Sequence, residues 1–321
     1  MNPSRAKIIA CGSYLPARRV SNEALSAQME TSDEWIRTRT GICARHIVAD
    51  GETTTDMAIA AAFAACKKSD CDPKTIDLII VATTTPARSF PATAVSVAAA
   101  LGNFSASAFD IQAVCAGFVY ALILANSCIA SGLANRALVI GADSMSRLVD
   151  WQDRSSAVLF GDGAGAVLLE KTSEKDRGII ASDWHADGRE EGILYSDGGI
   201  SSTREAGHLR MDGKEVFRHA VEKMTASVEA VLNKAELKIS AIDLLVPHQA
   251  NARILAQIGK RLGIEEERVA LTLDQHANTS AASIPLALAH LDSLGKLKPG
   301  QRIMLTALGG GLSWGSILLV Y

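Results

Sequence analysis

The chain has 321 residues, with 32 Lys or Arg against 35 Asp or Glu, and its formal net charge is −3. This slightly acidic balance argues against a general nucleic-acid-binding protein. The length exceeds that of one ordinary hydrophobic core and indicates either two similar lobes or one large α/β unit.

The six cysteines form no CxxC pair and no metal-ligand grouping with the histidines. Disulfides and a zinc site are therefore not expected, and a reducing cytosol fits this pattern. The N-terminal stretch enters a strand-like run at once, without the long apolar core of a signal peptide. No apolar run approaches the roughly 20 residues that a transmembrane helix needs. We expect a soluble cytoplasmic protein without a membrane partner.

Elements predicted along the first half of the chain recur in the same order along the second half. The first half contains KIIAC (7–11), a helix at 54–66, IDLIIVATT (76–84), a strand at 109–113 leading into a helix at 116–131, ALVIGAD (137–143) and GDGAGAVLLE (161–170). The second half contains GIIA (178–181), a helix at 214–232, IDLLVPHQA (242–250), VALTL (269–273), RIMLTALGG (302–310) and GGGLSWGSILLVY (309–321). Such self-similarity predicts an α/β fold of two pseudo-repeated halves, 1–170 and 171–321, with KTSEKDR (171–177) as a charged connector.

Cys115 lies where the strand at 109–113 gives way to the long apolar helix. A thiol at a helix N-terminus feels the positive end of the helix dipole, which favours the thiolate. An ordinary buried cysteine is the alternative, since cysteine is common in cores. Position alone does not decide between the two.

Polar residues and glycines follow three further predicted strands. His248 follows the strand at 242–246, Asn278 follows VALTL, and the glycines 309–311 follow the strand at 303–308. Ligands and chemistry collect at the carboxyl ends of strands in α/β sheets. Together these residues would suit acyl transfer, since they supply a thiol nucleophile, two hydrogen-bonding side chains and a glycine backbone that binds an oxyanion.

Six segments resemble the signatures of the β-ketoacyl-acyl carrier protein synthase III family. They are TSDEWIRTRTGI (31–42), CAGF (115–118), FGDGAGA (160–166), HQANAR (248–253), NTSAAS (278–283) and GGGLSWGS (309–316). Enzymes of this family start dissociated fatty acid synthesis. The resemblance runs along the whole chain without a large insertion.

The resemblance implies a thiolase-like five-layered αβαβα fold, a homodimer and a ping-pong reaction without a metal or cofactor. Cys115 would take an acyl group from acyl-CoA, and malonyl-acyl carrier protein would then be decarboxylated and condensed with it. His248 and Asn278 would stabilise the enolate-like charge, with the backbone N–H groups of Cys115 and Gly310 as the oxyanion hole. We expect His248 to be neutral, because it must donate a hydrogen bond in a buried site.

The CoA end of the site is expected around the TSDEW motif. Trp35 and Arg39 are four residues apart and share a helix face, so they could hold adenine by stacking. Spacing alone fits an ordinary surface pair equally well. The resemblance adds Arg154 as the opposing partner and Thr31 as a further CoA-binding residue.

A basic face is expected on the helix that follows His248. Arg253, Lys260 and Arg261 share one side of it, and Arg218 could join them from the preceding helix. A solvated basic face is the usual explanation of such a cluster. Docking of a strongly acidic acyl carrier protein is the alternative that the resemblance favours.

Three residues bear on the acyl pocket. Leu308 and Leu312 stand where aromatic residues are common in the family, which puts pocket shape and primer preference in doubt. Phe90 matches a family residue that reaches the partner subunit's acyl pocket, where a bulky side chain favours a short primer such as acetyl.

Three functions compete at this stage. The first is the decarboxylating condensing enzyme, and the second is a specialised acyltransferase or condensing relative of secondary metabolism. The third is a Cys-His-Asn hydrolase, whose papain-like pattern the motif order does not fit. A biosynthetic thiolase needs a second catalytic cysteine near the C-terminus, and no cysteine follows Cys128.

Overall fold

The computed structural model describes residues 4–174 and 176–321. The strands are β1 Arg5–Tyr14, β2 Arg18–Ser21, β3 Ala44–Ile47, β4 Leu78–Ala82, β5 Ser107–Ile111, β6 Arg136–Ser144, β7 Asp162–Thr172, β8 Gly178–Ala186, β9 Leu194–Ser196, β10 Leu209–Met211, β11 Leu244–Pro247, β12 Arg302–Gly309 and β13 Ser313–Val320. The α-helices are α1 Asn22–Ser26, α2 Asp33–Thr40, α3 Thr54–Lys68, α4 Thr93–Ala100, α5 Gly117–Ala130, α6 Arg154–Ala157, α7 Gly213–Lys234, α8 Ala252–Leu262, α9 Leu273–His276 and α10 Ser283–Ser293.

Two larger sheets share the order of four strands, and the first has β5 as an additional edge strand. The first runs β1-β7-β6-β4-β5 and the second β8-β13-β12-β11. In each, the strand that begins at the leucine of the IDL motif pairs in parallel with the next repeated strand. In the first sheet β4 also pairs in parallel with β5, and the remaining pairings of both sheets are antiparallel. The predicted two pseudo-repeated halves are therefore confirmed in the topology. The boundary at residue 170 stays a prediction, and Lys175 of the connector lies outside the described residues.

Helices and sheets stack in five layers. Helices α5 and α10 lie between the two sheets and share one apolar core with both. Helices α3 and α4 cover the outer face of the first sheet, and α7 and α8 cover the outer face of the second. A helix packed on two sides needs apolar residues around most of its circumference, which is the composition of α5. The predicted αβαβα architecture is confirmed.

One predicted strand is wrong. VALTL (269–273) makes a single parallel bridge, between Val269 and Leu245, at the free edge of β11. Beyond it, the buried Gln249 side chain accepts from the Thr272 N–H at 2.9 Å and donates to the Ala270 carbonyl at 3.1 Å. The Gln249 side chain, and not a neighbouring strand, thus provides hydrogen bonds to the backbone of this segment. Asn278 therefore follows the short helix α9 rather than a strand.

Within the described ranges, no helix combines the length and the apolar character that crossing a membrane requires.

Candidate active site

A cavity of about 290 Å³ brings the three predicted catalytic residues together. Cys115, His248 and Asn278 all line it, although they come from distant parts of the chain. Arg39 and Arg253 also line it and are exposed, so they mark its mouth. The cavity thus connects a basic entrance to a buried polar end.

Cys115 lies in a 3-10 turn, Val114–Ala116, directly before α5. Val114 has a φ of +48°, which is strained for a β-branched residue, and such strain is typical of functional turns. Burial raises the pKa of the Cys115 thiol to about 12. Desolvation of the buried thiol therefore opposes the effect of the helix N-terminus, which favours the thiolate.

His248 is buried directly after β11, and its Nδ1 lies 2.6 Å from the hydroxyl of Ser283 at the start of α10. The same hydroxyl accepts from the backbone N–H of Gln249 at 3.3 Å. Burial lowers the pKa of His248 to about 3, which agrees with the expected neutral imidazole. Among the described residues, Nε2 of His248 has no hydrogen-bond partner, and His248 lines the cavity.

Asn278 is held through its backbone and its side-chain oxygen. Its N–H donates to the Leu159 carbonyl at 2.9 Å, and its own carbonyl accepts from Gly161 at 3.0 Å. Its Oδ1 accepts from the Ser280 N–H at 2.9 Å. The Nδ2 group donates to no residue of the described chain, so it is available to a ligand in the cavity.

The glycine turn after β12 packs directly against the nucleophile. A Cβ on Gly309 would lie 2.7 Å from the backbone nitrogen of Cys115, so only glycine allows this approach. Gly310 is equally restricted, since a Cβ there would lie 2.7 Å from the Leu194 carbonyl oxygen. Its role in an oxyanion hole stays a prediction.

Trp35 lies on α2 between two arginines. The guanidinium carbon of Arg154 lies 4.9 Å from the ring centroid, and that of Arg39 lies 5.9 Å from it. Arg154 also donates to the Glu30 carbonyl at 2.8 Å, which fixes it beside the ring. The Thr31 hydroxyl, just before α2, is buried without a hydrogen-bond partner in the described chain. Of the four residues predicted for CoA, Trp35 and Arg39 lie on α2 and Thr31 lies just before it, whereas Arg154 begins α6 and lies beside the Trp35 ring.

The three predicted pocket residues lie in different environments. Leu308 is buried and lines the cavity. Leu312 is buried in the core around α7 and α8 and is not among the described residues that line the cavity. Phe90 is 83% exposed on this single chain.

The predicted docking residues also differ. Arg253, Lys260 and Arg261 are exposed on α8 and form no salt bridge within the described ranges. Arg218 instead pairs with Glu215 at 2.7 Å on its own helix. Its charge is therefore largely compensated, and it contributes less to a basic face.

Sequence reasoning missed the residues that hold this constellation. Ser280 and Ser283 lie within the NTSAAS segment, two and five positions after Asn278, and their hydroxyls contact Cys115 and His248. Two hydroxyls just after a catalytic asparagine were the available signal. Across the described residues, no group of three or more His, Cys, Asp or Glu is placed to hold a metal ion.

Comparisons with known proteins identify relatives of this chain. Residues 109–188 match the family model of 3-oxoacyl-[acyl-carrier-protein] synthase III, and residues 232–321 match the model of its C-terminal part. A β-ketoacyl-[acyl-carrier-protein] synthase III of Dinoroseobacter shibae is 52% identical over 319 residues, covering 98% of each chain. One of Rhodospirillum rubrum is 53% identical over 320 residues, covering 98% of this chain and 99% of that protein. The crystal structure of 3-oxoacyl-[acyl-carrier-protein] synthase III from Aquifex aeolicus superimposes with a TM-score of 0.94 at 46% identity, covering 98% and 100% of the two chains.

Proposed function

The chain belongs to the 3-oxoacyl-[acyl-carrier-protein] synthase III family, and on that premise we propose that it condenses an acyl-CoA primer with malonyl-acyl carrier protein. The products are 3-ketoacyl-acyl carrier protein, CoA and CO₂, and the reaction initiates fatty acid synthesis. The observation that carries the proposal is the convergence of Cys115, His248 and Asn278 on one cavity with a basic mouth.

In the first half-reaction, the Cys115 sulfur attacks the thioester carbonyl of acyl-CoA. The tetrahedral oxyanion needs donors beside the nucleophile, and we assign this role to the N–H groups of Cys115 and Gly310. The close packing of the Gly309–Gly311 turn on the Cys115 backbone supports that assignment. Losing one such donor costs roughly 100- to 1,000-fold in rate.

In the second half-reaction, loss of CO₂ leaves negative charge on the malonyl thioester oxygen. We assign its stabilisation to Nε2–H of His248 and Nδ2–H of Asn278. Both groups lack another partner in the described chain and belong to residues that line the cavity. The depressed pKa of His248 supports a neutral donor, because a cation there would have to be buried without a counterion.

We assign acyl-CoA binding to the α2 region. The Trp35 ring, flanked by Arg39 and Arg154, suits stacking with adenine, and the arginines suit phosphate. The unpartnered Thr31 hydroxyl supports a further polar contact with the ligand. No metal or other cofactor is required by this reaction.

We further propose a homodimer through the edge of the first sheet. Strand β5 ends that sheet, and an unpaired edge invites pairing with a second chain. Phe109 on β5 is 38% exposed. The helix after Phe90 is tied to β5, because the N–H groups of Thr93 and Ala94 donate to the Asp110 carboxylate at 2.6 and 2.8 Å. Dimerisation there would cover the exposed Phe90 and bring it towards the partner.

For the acidic carrier protein we propose docking on Arg253, Lys260 and Arg261 of α8. These side chains are exposed and unpaired in the described chain, and Arg253 lines the cavity mouth. Arg218 extends this surface, although Glu215 offsets its charge. A cytoplasmic location is part of the proposal and is supported by six cysteines that are all free.

Product analysis tests the reaction. The protein is incubated with acetyl-CoA and malonyl-acyl carrier protein, and the carrier protein is analysed by mass spectrometry. Formation of 3-ketoacyl-carrier protein by the wild type, but not by Cys115→Ala, is expected. Hydrolysis of the thioesters without a condensed product would favour a hydrolase instead.

A further inference from the structure

The glycine turn that packs on Cys115, Gly309–Gly311, has little conformational restraint of its own. Glycine loses more backbone freedom on folding than any other residue, and this turn contains three in succession. The N–H groups of Cys115 and Gly310, which we assigned to the oxyanion hole, donate to no other described residue. A donor stabilises the oxyanion only when it lies at the right distance from it. Other parts of the chain must therefore hold the glycine turn in place.

One backbone pair anchors the turn to strand β8. Leu312, directly after the glycines, and Asp187, directly after β8, exchange both of their backbone hydrogen bonds, at 2.8 and 3.0 Å. This pair extends the β13–β8 ladder by one step beyond the pair of Ser313 with Ala186. It is the end of the ladder, and β8 is an edge strand, so the strands would open first at this point. A side chain that joins the two strands here would stabilise the turn.

Lys223, in the middle of α7, contacts both of these strands. Its Nζ lies 4.2 Å from the centroid of the Trp314 ring on β13. The same Nζ lies 3.5 Å from the carboxylate of Asp187 at the end of β8. Only 18% of the Lys223 side chain and 14% of the Asp187 side chain are exposed. Partial exclusion of water strengthens both the ion pair and the contact of the cation with the aromatic ring.

Asp187 is an anion in this arrangement. Its carboxylate accepts two hydrogen bonds from Arg189, each at 2.8 Å. These bonds lower the pKa of the Asp187 carboxyl, and the charge of Lys223 adds to this effect. Arg189 is exposed and has no contact with Trp314 among the described residues. Lys223 is therefore the cation that connects this carboxylate to β13.

The contacts of Lys223 lead to Cys115 through the β12–β13 hairpin. Trp314 pairs in register with Leu308, the residue directly before the three glycines. Gly309 packs so closely on the Cys115 backbone that a shift of the hairpin changes the spacing of the two proposed oxyanion donors. Lys223 itself is not among the described residues that line the cavity. Its effect on the reaction must therefore pass through the position of the glycine turn.

We propose that Lys223 is a positioning residue for acylation. By joining Asp187 to Trp314, it keeps the glycine turn at the distance from Cys115 that the oxyanion requires. This role rests on the proposed condensing reaction and specifies what fixes the geometry of its first half-reaction. It gives Lys223 no contact with acyl-CoA and no part in the loss of CO₂, for which other donors are assigned.

Separate assays of the two half-reactions test this role. Lys223→Met keeps a side chain of similar length but removes its charge. Acylation by saturating acetyl-CoA, followed by intact mass after rapid quenching, should slow by about 10- to 100-fold, up to the loss that a 1 Å misplacement causes. The acetyl-CoA concentration that gives half the maximal rate should not change, because the cavity lining is intact. CO₂ release from malonyl-acyl carrier protein, measured once the variant is fully acylated, should not change either.

Two matched variants accompany this test. Lys223→Arg retains a cation that pairs with Asp187 and stacks on Trp314, so its acylation rate should stay within about 3-fold of the wild type. Lys234, further along α7, pairs with Asp183 of β8 at 2.8 Å, away from the glycine turn, and Lys234→Met should acylate normally. A wild-type acylation rate in Lys223→Met would overturn the inference. Equal losses of acylation and CO₂ release would also overturn it, since they indicate general loosening of the fold.

Asp187→Asn tests the same link from its other end and covers the case in which Lys223→Met fails to fold. It too should slow acylation and leave CO₂ release unchanged. In the double variant, Asp187→Asn should add little to the loss in Lys223→Met, because both residues act through one contact. A wild-type acylation rate in Asp187→Asn, or losses that multiply in the double variant, would overturn the inference. Failure of the wild type to form acyl-enzyme would instead contradict the proposed function.

Discussion

The Ser283 hydroxyl lies 2.6 Å from Nδ1 of His248, and this contact sets which imidazole nitrogen carries the proton. The Ser283 oxygen already accepts from the Gln249 N–H, so its own proton is free to be donated to Nδ1. A neutral imidazole that accepts at Nδ1 carries its proton on Nε2. Ser283 therefore prepares His248 as a donor towards the cavity.

Removing that hydroxyl should impair decarboxylation selectively. In Ser283→Ala, the imidazole is free to change tautomer, and CO₂ release from malonyl-acyl carrier protein by acylated enzyme should fall by up to roughly 100-fold, the order expected for one lost donor. Acylation by acyl-CoA should be unchanged when it is followed by intact mass. Ser293→Ala, an exposed serine at the other end of α10, is the control. Equal losses in both half-reactions would contradict this role.

The pH profile should reveal a neutral histidine. The pKa of His248 is about 3 in the folded chain, well below the value near 6.5 of a free histidine. CO₂ release should therefore not fall as pH rises through 6.5, whereas a required imidazolium would make it fall there. The same shift makes the unfolded state bind more protons between these two values. The free energy of unfolding should thus decrease as pH falls from about 6.5, and less so in His248→Gln.

Trp35 should act on the nucleotide end of acyl-CoA only. Trp35→Ala is expected to raise KM for acyl-CoA roughly 5- to 150-fold, because stacking a base on an aromatic ring contributes about 1–3 kcal/mol. The matched substrate is the corresponding acyl-pantetheine, which lacks adenine and should show an unchanged KM. An equal rise with both thioesters would mean that Trp35 supports the fold of the cavity instead.

Leu308 and Leu312 provide a matched pair for primer selection. Both are buried, but only Leu308 lines the cavity. Leu308→Ala should shift competition among acyl-CoAs towards longer primers, read as the mass distribution of the acyl-enzyme. Leu312→Ala should destabilise the protein by a similar amount, about 2–5 kcal/mol, and leave the preference unchanged. The same shift in both variants would point to general loosening of the core.

Much of the fold could be predicted because its strands are short apolar runs repeated in order. β4 and β11 each begin at the leucine of the same IDL motif, and β6 and β12 follow each as parallel partners. VALTL could not be assigned correctly, since its apolar pattern is typical of a strand. The backbone of this segment is hydrogen-bonded by the Gln249 side chain, and the local sequence gives no indication of that tertiary contact.

The candidate site also contains residues that could be predicted from the sequence and contacts that could not. Cys115, His248 and Asn278 lie in segments with recognisable motifs. The contacts of Ser280 with Cys115 and of Ser283 with His248 could not be predicted, because they depend on the packing of the Ser280–Ala282 turn against β6 and the Val114–Ala116 turn, which only the assembled fold creates.

Intact-mass spectrometry of the protein through one catalytic cycle tests the central claim most directly. After mixing with acetyl-CoA, the wild type should gain one acyl group and Cys115→Ala none. Malonyl-acyl carrier protein should then remove that group as 3-ketoacyl-carrier protein with release of CO₂. An adduct on Cys115→Ala, or a wild-type adduct discharged only by water, would contradict condensation through an acyl-Cys115 intermediate.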